Sequence, residues 1–417
     1  MRNIPRISAW SSAVGLAREG FPFIYNRCRR FQSDIFEITV PFMKVVCMSG
    51  PEASRIFYDP ERFVRQGAIP KRIQRTLFGE HGVQTLDDAA HRRRKELFMS
   101  IMTPENIQRL SALMHDHWQV GIRKWAATTG PIVLFDEVKE LLCRAACAWA
   151  GVPLNESEVK QRAQQFWERV DAFGAVGLRH LRGRKARHQT EDWIRSLILG
   201  IREGRITVPE GTSAYAMALH REPDGKPLDA QVAAVELINT VRPIVAIANY
   251  IVFAALALHK HPECREVLRN GSAEDTELFV QEVRRYYPFA PFLGAKVRSA
   301  FDWRNMHFPK GAMVLLDVYG TNRHPDTWER PLEFWPNRFR QWDGSAYNFI
   351  PQGGGDHYKN HRCAGEWVTI EALNVALNYL TRHMEYTVPP QDLSFKLSRM
   401  PTYPRSGFIL SQVREIK

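Results

Sequence analysis

Helical periodicity dominates the sequence. Apolar residues recur every three or four positions through residues 104–202, and the same pattern predicts shorter helices at residues 277–287 and 366–383. Asp229 can cap the first turn of a further long helix in the middle of the chain. Together these segments predict a mainly α protein.

Strand patterns are fewer, and they predict a small β region beside the helical body. The first pair alternates apolar and polar residues around a turn at Pro41, and a last hairpin is expected near the C-terminus. The segments are residues 36–40 with 44–48, residues 296–318, and residues 394–398 with 407–410.

Composition predicts one soluble domain over residues 1–417. The sequence is 44% apolar and contains no linker, low-complexity tract or internal repeat. The longest apolar run, residues 244–258, is shorter than the ~20 residues of a membrane span, so a buried core helix is expected. Six scattered cysteines and the lack of a signal-peptide pattern favour a reducing, cytoplasmic location.

The net charge of +12 indicates an affinity for anions. Basic clusters occur at residues 92–95 and 182–187. No recognition motif accompanies them, so nucleic-acid binding is not expected. The first cluster suits a small anionic molecule or a cofactor, and the second is interpreted as a solvated basic face.

The central helix contains two residues that conflict with a regular buried helix. Pro243 has no N–H to donate to the carbonyl of Asn239, so the helix is expected to kink or open. Arg242 lies among apolar residues at helical spacing. A buried guanidinium needs an anionic partner. That partner is either a fixed internal carboxylate or a substrate carboxylate, which matches the two-pronged geometry of arginine.

A glycine-rich loop, residues 349–366, ends in the sequence Arg362-Cys363-Ala-Gly-Glu. Its three consecutive glycines, residues 353–355, allow close approach to a flat or bulky group. Cys363 precedes a predicted helix, and the helix dipole and Arg362 are both expected to lower the pKa of its thiol. The loop is therefore predicted to hold a thiolate against a planar cofactor.

Four features follow one another along the chain. They are the long central helix, Glu282 with Arg285 at i,i+3, the segment 336–339 with Arg338, and the loop that ends in Cys363 before a helix. In this order they resemble the haem-thiolate monooxygenases, the cytochromes P-450. The resemblance implies a large helical body with a smaller β-rich region. It also implies haem b between the central helix and the Cys-loop helix, with Cys363 as the ligand of the iron.

The same resemblance implies roles for the residues around that cofactor. Glu282, Arg285 and Arg338 would form a structural ion-pair network beneath the haem. The implied haem contacts, propionate contacts among them, are Arg65, His91, Lys95, Tyr358 and Arg362.

Two departures from the general family pattern resemble its bacterial fatty-acid peroxygenase branch. The central helix has Arg242-Pro243 where most members carry an acid–alcohol pair, and the cysteine loop is longer than usual. Membership of this branch implies hydroxylation of long-chain fatty acids at the α or β carbon, driven by hydrogen peroxide without an obligatory redox partner. The substrate carboxylate, held on Arg242, would act as the general acid–base, since an arginine is effectively never deprotonated.

The position of Gln84 favours hydroxylation over decarboxylation. Relatives that release a terminal alkene tend to have a histidine there, and a neutral amide cannot donate a proton as an imidazolium can. The resemblance implies catalytic roles for Arg242, Pro243 and Gln84. It also implies substrate contacts at Leu77, Phe78, Val170, Phe173, Phe289 and Ala290.

Several alternatives remain open from the sequence. A decarboxylase and a reductase-dependent monooxygenase belong to the same family, and a haem carrier or sensor would need only the thiolate loop. A zinc site from His357, His361 and Cys363 is the remaining alternative, although no fourth ligand pair accompanies these residues.

Overall fold

The computed structural model describes residues 4–40 and 43–416, and helices make up 54% of it. This confirms the mainly α prediction. Within these residues the helices are α1 (Ala9–Glu19), α2 (Phe23–Phe31), α3 (Pro51–Phe57), α4 (Lys71–Ile73), α5 (Asp88–Ile101), α6 (Pro104–Ala126), α7 (Leu134–Ala150), α8 (Val159–Asp171), α9 (Leu178–Arg202), α10 (Ser213–Leu219), α11 (Ala230–Ala246), α12 (Ala248–Lys260), α13 (Pro262–Asn270), α14 (Ala273–Tyr286), α15 (Val318–Thr321) and α16 (Glu366–Asn378).

The strands form a small β region, as predicted. They are β1 (Arg6–Ile7), β2 (Ile35–Val40), β3 (Met43–Met48), β4 (Phe63–Val64), β5 (Ile132–Val133), β6 (Phe292–Val297), β7 (Phe301–Trp303), β8 (Met306–Phe308), β9 (Met313–Asp317), β10 (Met384–Thr387) and β11 (Ile409–Glu415). The largest sheet has the order β1-β2-β3-β9-β6-β4, the second β10-β11-β5, and β7 pairs with β8. The antiparallel β2–β3 pair confirms the first predicted hairpin, whose turn at Pro41 lies outside the described residues.

The predicted C-terminal hairpin is wrong. β11 pairs with β10 and with β5, whereas residues 394–398 form no strand. Pro389, Pro390, Pro401 and Pro404 surround that segment. Because proline offers no N–H to a ladder, the segment crosses the surface as a loop and the strand finds its partners elsewhere.

α11 and α12 form the centre of the main hydrophobic core. The continuous stretch Ala230–Lys260 is long and apolar enough to cross a membrane by length and composition alone, but 94% of its apolar window is buried inside the protein. The Asp229 carboxylate accepts from the Gln231 and Val232 N–H groups, which confirms the predicted cap. This stretch is the buried core helix that the sequence predicts.

The helix opens at Ile247, one turn after Pro243. The Ile247 N–H donates to the carbonyl of Ile244 at 3.0 Å, a tighter connection than the regular i→i−4 bond. The predicted irregularity is confirmed and lies four residues beyond the proline. This turn separates α11, which ends at Ala246, from α12, which begins at Ala248, and both helices are buried.

A buried ion-pair network ties α14 to the segment before the cysteine loop. Both oxygens of Glu282 accept from Arg285, at 2.7 and 2.8 Å, and the Arg338 Nε lies 3.2 Å from the same carboxylate. Arg285 also donates to the carbonyls of Pro331 and Glu333. The network confirms the predicted grouping of the three charged residues.

Glu282→Ala should destabilise the protein by about 3–5 kcal/mol, because it leaves two buried guanidinium groups without their anion. Glu277→Ala is the matched control, since Glu277 lies on the exposed face of the same helix and should change stability by less than about 0.5 kcal/mol. Urea unfolding followed by far-ultraviolet circular dichroism measures both. Equal losses in the two variants would contradict the structural role of the network.

Candidate active site

The glycine-rich loop folds so that Cys363 lies just before α16. Gly353 and Gly355 have φ angles of 93° and 77°, in the left-handed region that glycine adopts without strain. A Cβ atom at Gly353 would also lie 3.0 Å from the Tyr58 hydroxyl. The Cys363 N–H donates to the Gln352 carbonyl at 3.0 Å, and the Gln352 side-chain amide lies 3.8 Å from the thiol sulfur. These contacts position the thiol at the beginning of the helix.

Glu366, the first residue of α16, collects the positive charges around this loop. It accepts from Arg362 Nε at 2.6 Å, lies 3.0 Å from His357 Nε2 and forms a buried ion pair with Arg284. Burial favours the neutral acid, but Arg284, His357 and Arg362 outweigh it and hold the pKa of Glu366 far below its usual range. Arg362 is therefore paired with Glu366 and does not face the thiol as a free cation.

The expectation of a lowered thiol pKa at Cys363 is wrong. Burial raises its pKa above the usual value, and the Glu366 carboxylate adds to the effect. Lys95 and the Gly365 N–H act in the opposite direction without cancelling it. Lys95 alone does not supply enough positive charge to favour the thiolate. A metal ion bound to the sulfur would supply that charge.

Three basic side chains lie buried beside the cysteine loop. Lys95 Nζ donates to a carbonyl of the loop, His91 stacks on His361 with ring centroids 3.8 Å apart, and Arg65 lies 4.2 Å from the Phe57 ring centroid. Burial lowers the pKa of Lys95 to about 8 and of His91 to about 4, and it lowers the pKa of Arg65 as well. None of the three has an ion-pair partner among residues 4–40 and 43–416. This surplus of basic groups suits a ligand with two negative groups.

The zinc alternative is not supported. His357 bonds Glu366, and His361 Nε2 lies 2.9 Å from the Leu86 carbonyl oxygen, so both rings have protein partners. In the described part of the chain, no group of three or more His, Cys, Asp and Glu side chains is placed to hold a metal ion. Tyr358 is 62% exposed, and its predicted contact with a cofactor stays a prediction.

Arg242 is buried in α11 without a carboxylate partner among the described residues. Its only side-chain hydrogen bond in that part of the chain runs from Nη2 to Asn239 Oδ1 at 3.1 Å, and its Nε has no partner. Its guanidinium lies 6.0 Å from the Phe78 ring centroid. Burial and the nearby Arg169 lower the pKa of Arg242 to about 9, so it remains a cation at neutral pH. A fixed internal salt bridge, one of the two partners open from the sequence, is therefore not observed.

Asn239 and Glu236, which sequence reasoning missed, hold Arg242 and Gln84 in place. Asn239 lies one turn before Arg242, and its Nδ2 lies 3.2 Å from Glu236 Oε2 and 3.5 Å from Gln84 Oε1. Fully buried Glu236 in turn accepts from Arg94 at 2.8 Å. The signal was available, because Glu236, Asn239 and Arg242 recur every three residues on an otherwise apolar helix.

A third missed residue, Arg169 of α8, also holds the site in place. It is fully buried and donates to the carbonyls of Thr76 and Leu77, both at 3.2 Å, and to Thr190 Oγ1 at 2.9 Å. These carbonyls belong to a π-helical turn, Gln74–Phe78. Arg169 therefore fixes the turn that carries Leu77 and Phe78 against the helix that carries Val170.

The six predicted substrate contacts lie in or beside the main core. Leu77 and Val170 are buried in it, and Phe78, Phe173 and Phe289 pack against it. Phe289 stacks on Tyr250 of α12 with ring centroids 5.1 Å apart, and Ala290 is half-buried. Phe78 is the member that the structure brings to Arg242. For all six, substrate contact stays a prediction.

Comparison with known proteins identifies a family. The model of the cytochrome P-450 family matches residues 276–409, the region that contains Glu282, Arg285, Arg338 and Cys363. Similarity to solved structures extends over the whole chain.

Three of the similar solved structures are cytochromes P-450 with a bound ligand. Cytochrome P-450 SP alpha (CYP152B1), solved with (R)-ibuprophen, is 46% identical over 96% of this chain and 98% of that chain, with a TM-score of 0.94. Cytochrome P-450 EX alpha (CYP152N1), solved with myristic acid, is 43% identical over 100% of both chains, with a TM-score of 0.95. Cytochrome P-450 OleT, solved with arachidonic acid, is 34% identical over 100% of this chain and 99% of that chain, with a TM-score of 0.96.

The two carboxylates that bind Arg94 should differ greatly in their effect on stability. Glu236→Gln should cost about 3 kcal/mol, because it removes a buried anion from a buried guanidinium. Glu222→Gln is the matched control: Glu222 lies 2.8 Å from the same Arg94, but its side chain is 35% exposed, so less than about 1 kcal/mol is expected. The free energy of unfolding of each variant, measured in urea, tests this difference. If Glu222→Gln costs as much as Glu236→Gln, the buried pair does not anchor the site.

Proposed function

The chain belongs to the cytochrome P-450 family, in the CYP152 fatty-acid peroxygenase branch, and from this membership we propose that it uses hydrogen peroxide to hydroxylate long-chain fatty acids. The whole chain, residues 1–417, is proposed to act as one catalytic domain. The cofactor of the family is haem b. Hydroxylation at the α or β carbon is proposed, with water as the second product.

The single observation that carries this proposal is the unpaired Arg242. A cation buried in an apolar core is very costly unless an anion joins it. The described part of the chain supplies no such anion at this point. A fatty-acid carboxylate supplies it and leaves the alkyl chain for apolar side chains such as Phe78, whose ring centroid lies 6.0 Å from the guanidinium.

The described residues fit haem b. Arg65, His91 and Lys95 form a buried basic group that suits the two propionates. The Cys363 sulfur is contacted by the Gln352 amide at 3.8 Å and by the Gly365 N–H, and both are donors that suit a thiolate. Held by a thiolate, haem supplies the chemistry that favours cleavage of the O–O bond of peroxide. Cys363 is proposed as the ligand of its iron.

Arg242 positions the group that moves the proton. The bound carboxylate can take a proton from hydrogen peroxide and return it to the oxygen that leaves as water. Arg242 remains charged throughout and holds the carboxylate in place by paired hydrogen bonds. Because the head group is anchored, the carbons next to it are the ones presented for oxidation, which limits attack to the α and β positions.

A reductase-dependent monooxygenase is the weaker alternative. Its central helix would offer an acid and an alcohol to dioxygen. Here Thr240, the nearest alcohol, already donates to the Leu237 carbonyl at 2.8 Å, and Arg242-Pro243 follow it. Hydrogen peroxide is already two electrons more reduced than dioxygen. A reaction that uses it therefore needs no redox partner to deliver those electrons.

Gln84 favours hydroxylation over decarboxylation. Its Oε1 lies 3.5 Å from Asn239 Nδ2, in the hydrogen-bonded group that contacts Arg242. An amide at this position cannot deliver a proton as an imidazolium can. The substrate should therefore leave as a hydroxy acid rather than as an alkene.

Purified holoenzyme should convert myristate with hydrogen peroxide alone, and Arg242→Ala should lower kcat/KM by at least about a hundredfold, because carboxylate anchoring and proton transfer are lost together. Tetradecan-1-ol, which lacks the carboxylate, should not be converted by the unmodified enzyme. Product analysis by gas chromatography and mass spectrometry measures both. The carbon monoxide spectrum must show that haem and thiolate are retained. Full activity of Arg242→Ala would contradict the proposal.

The products of Gln84 variants test the preferred reaction. The unmodified enzyme should give mainly hydroxymyristate, and Gln84→His should raise the fraction of terminal alkene, because it places a proton donor beside the carboxylate. Gln84→Asn is the control, since a shorter amide remains neutral and should leave the alkene fraction low. A predominance of alkene from the unmodified enzyme would overturn the assignment as a hydroxylase.

A further inference from the structure

The turn between α8 and α9 exposes an unusual group of apolar side chains. Val176, Leu178 and Leu181 are 74%, 73% and 57% exposed. They account for three of the eleven large apolar side chains that are exposed in the described residues, and they lie within six positions. Single exposed apolar residues need no explanation, but a contiguous group indicates a binding surface.

Basic side chains surround this apolar group. Arg182, Arg184 and Lys185 are exposed, and none of them has an ion-pair partner within residues 4–40 and 43–416. Leu178, Leu181, Arg182 and Lys185 recur at i, i+3, i+4 and i+7, so they lie on one face of α9. The sequence predicts a solvated basic face here. The structure adds that the same face also exposes leucines.

The remaining charges near this face do not cancel its potential. The first turn of α9 contains no acidic residue. The positive end of the helix dipole is therefore not neutralised there, and it adds to the positive potential of this face. Asp171, the last residue of α8, is bound by Arg179 at 2.9 Å and by Arg399. Glu80 is held by Arg75 at 3.3 Å. The surface is therefore apolar and cationic together.

We propose that Val176, Leu178, Leu181, Arg182, Arg184 and Lys185, the α9 patch, dock the protein on the surface of an anionic lipid bilayer. Leucines and valine enter the boundary between head groups and acyl chains, while the basic residues attract anionic lipids. A nucleic acid would use the charges but leave the leucines in water. A bilayer is the partner that accommodates both.

The location of the α9 patch connects it with the candidate active site. Arg72, just before the π-helical turn that carries Leu77 and Phe78, donates to the Ala175 carbonyl, next to Val176. Val170 lies near the end of α8, and Phe173 lies in the turn that follows it. If the proposed function holds, a fatty acid leaving the bilayer at this point meets the two segments predicted to bind it. Docking itself does not depend on that function.

The test is sedimentation of the holoenzyme with sucrose-loaded vesicles. Vesicles of phosphatidylcholine with about 30 mol% phosphatidylglycerol should bind the protein at about 0.1 M salt, pure phosphatidylcholine should bind it weakly, and high salt should release it. Arg182→Gln with Arg184→Gln and Lys185→Gln should weaken partitioning by roughly fivefold per charge. Leu178→Asp with Leu181→Asp should abolish it.

Matched controls separate this surface from net charge and general hydrophobicity. Lys160→Gln with Lys260→Gln and Lys310→Gln removes the same charge from exposed sites elsewhere, and Val267→Asp with Leu332→Asp changes two other exposed apolar residues. Both control variants should bind vesicles like the unmodified protein. Equal weakening in the charge controls would show attraction by net charge alone and overturn the proposal.

Two further outcomes are decisive. If the unmodified protein ignores anionic vesicles while sedimentation velocity shows a dimer that Leu178→Asp with Leu181→Asp dissociates, the patch binds a second copy and the proposal is wrong. Conversion of dissolved myristate should be unchanged in the patch variants. Vesicle binding without any conversion of myristate would refute the proposed function and leave the docking surface intact.

Discussion

The candidate active site depends on one buried guanidinium that has no carboxylate partner in the part of the chain that the structure describes. Arg242 lies in the apolar centre of the protein, where an unpaired charge is strongly unfavourable. Its one side-chain hydrogen-bond partner among the described residues is a neutral amide. Asn239 accepts one hydrogen bond from Arg242, and Glu236 of the same helix is bound by Arg94. In the proposed function, the substrate carboxylate is the anion that completes the site.

The charges around the cysteine loop divide in the same way. Glu282 and Glu366 have fixed arginine partners, Arg285 and Arg284 among them. Arg65, His91 and Lys95 have no carboxylate partner within the described residues. The paired charges hold elements of the fold together, whereas Arg65, His91 and Lys95 are the basic groups of the proposed haem site.

The α9 patch is a second group of basic residues without carboxylate partners among the described residues, and it lies on the surface. Its basic residues lack partners as those inside do, but they are solvated and cost little. Their significance comes from the leucines on the same helical face and from the loop they share with the candidate substrate segments. The interior and the surface are joined by Arg72, whose bond to Ala175 ties the π-helical turn to that loop.

The sequence by itself determined the features that local patterns encode. Periodicity predicted the helical body, the Asp229 cap and the disturbance after Pro243, and the order of Glu282, Arg285, Arg338 and Cys363 predicted the family. Each depends on residues close in sequence or on a recognisable motif. Only the tertiary structure decided which charges are paired. Arg362 neighbours Cys363 in sequence yet is paired with Glu366, and burial together with the Glu366 carboxylate raises the thiol pKa. β11 pairs with β10 because prolines exclude the nearer segment. Such outcomes depend on burial and on partners far apart in the chain, which no local pattern records.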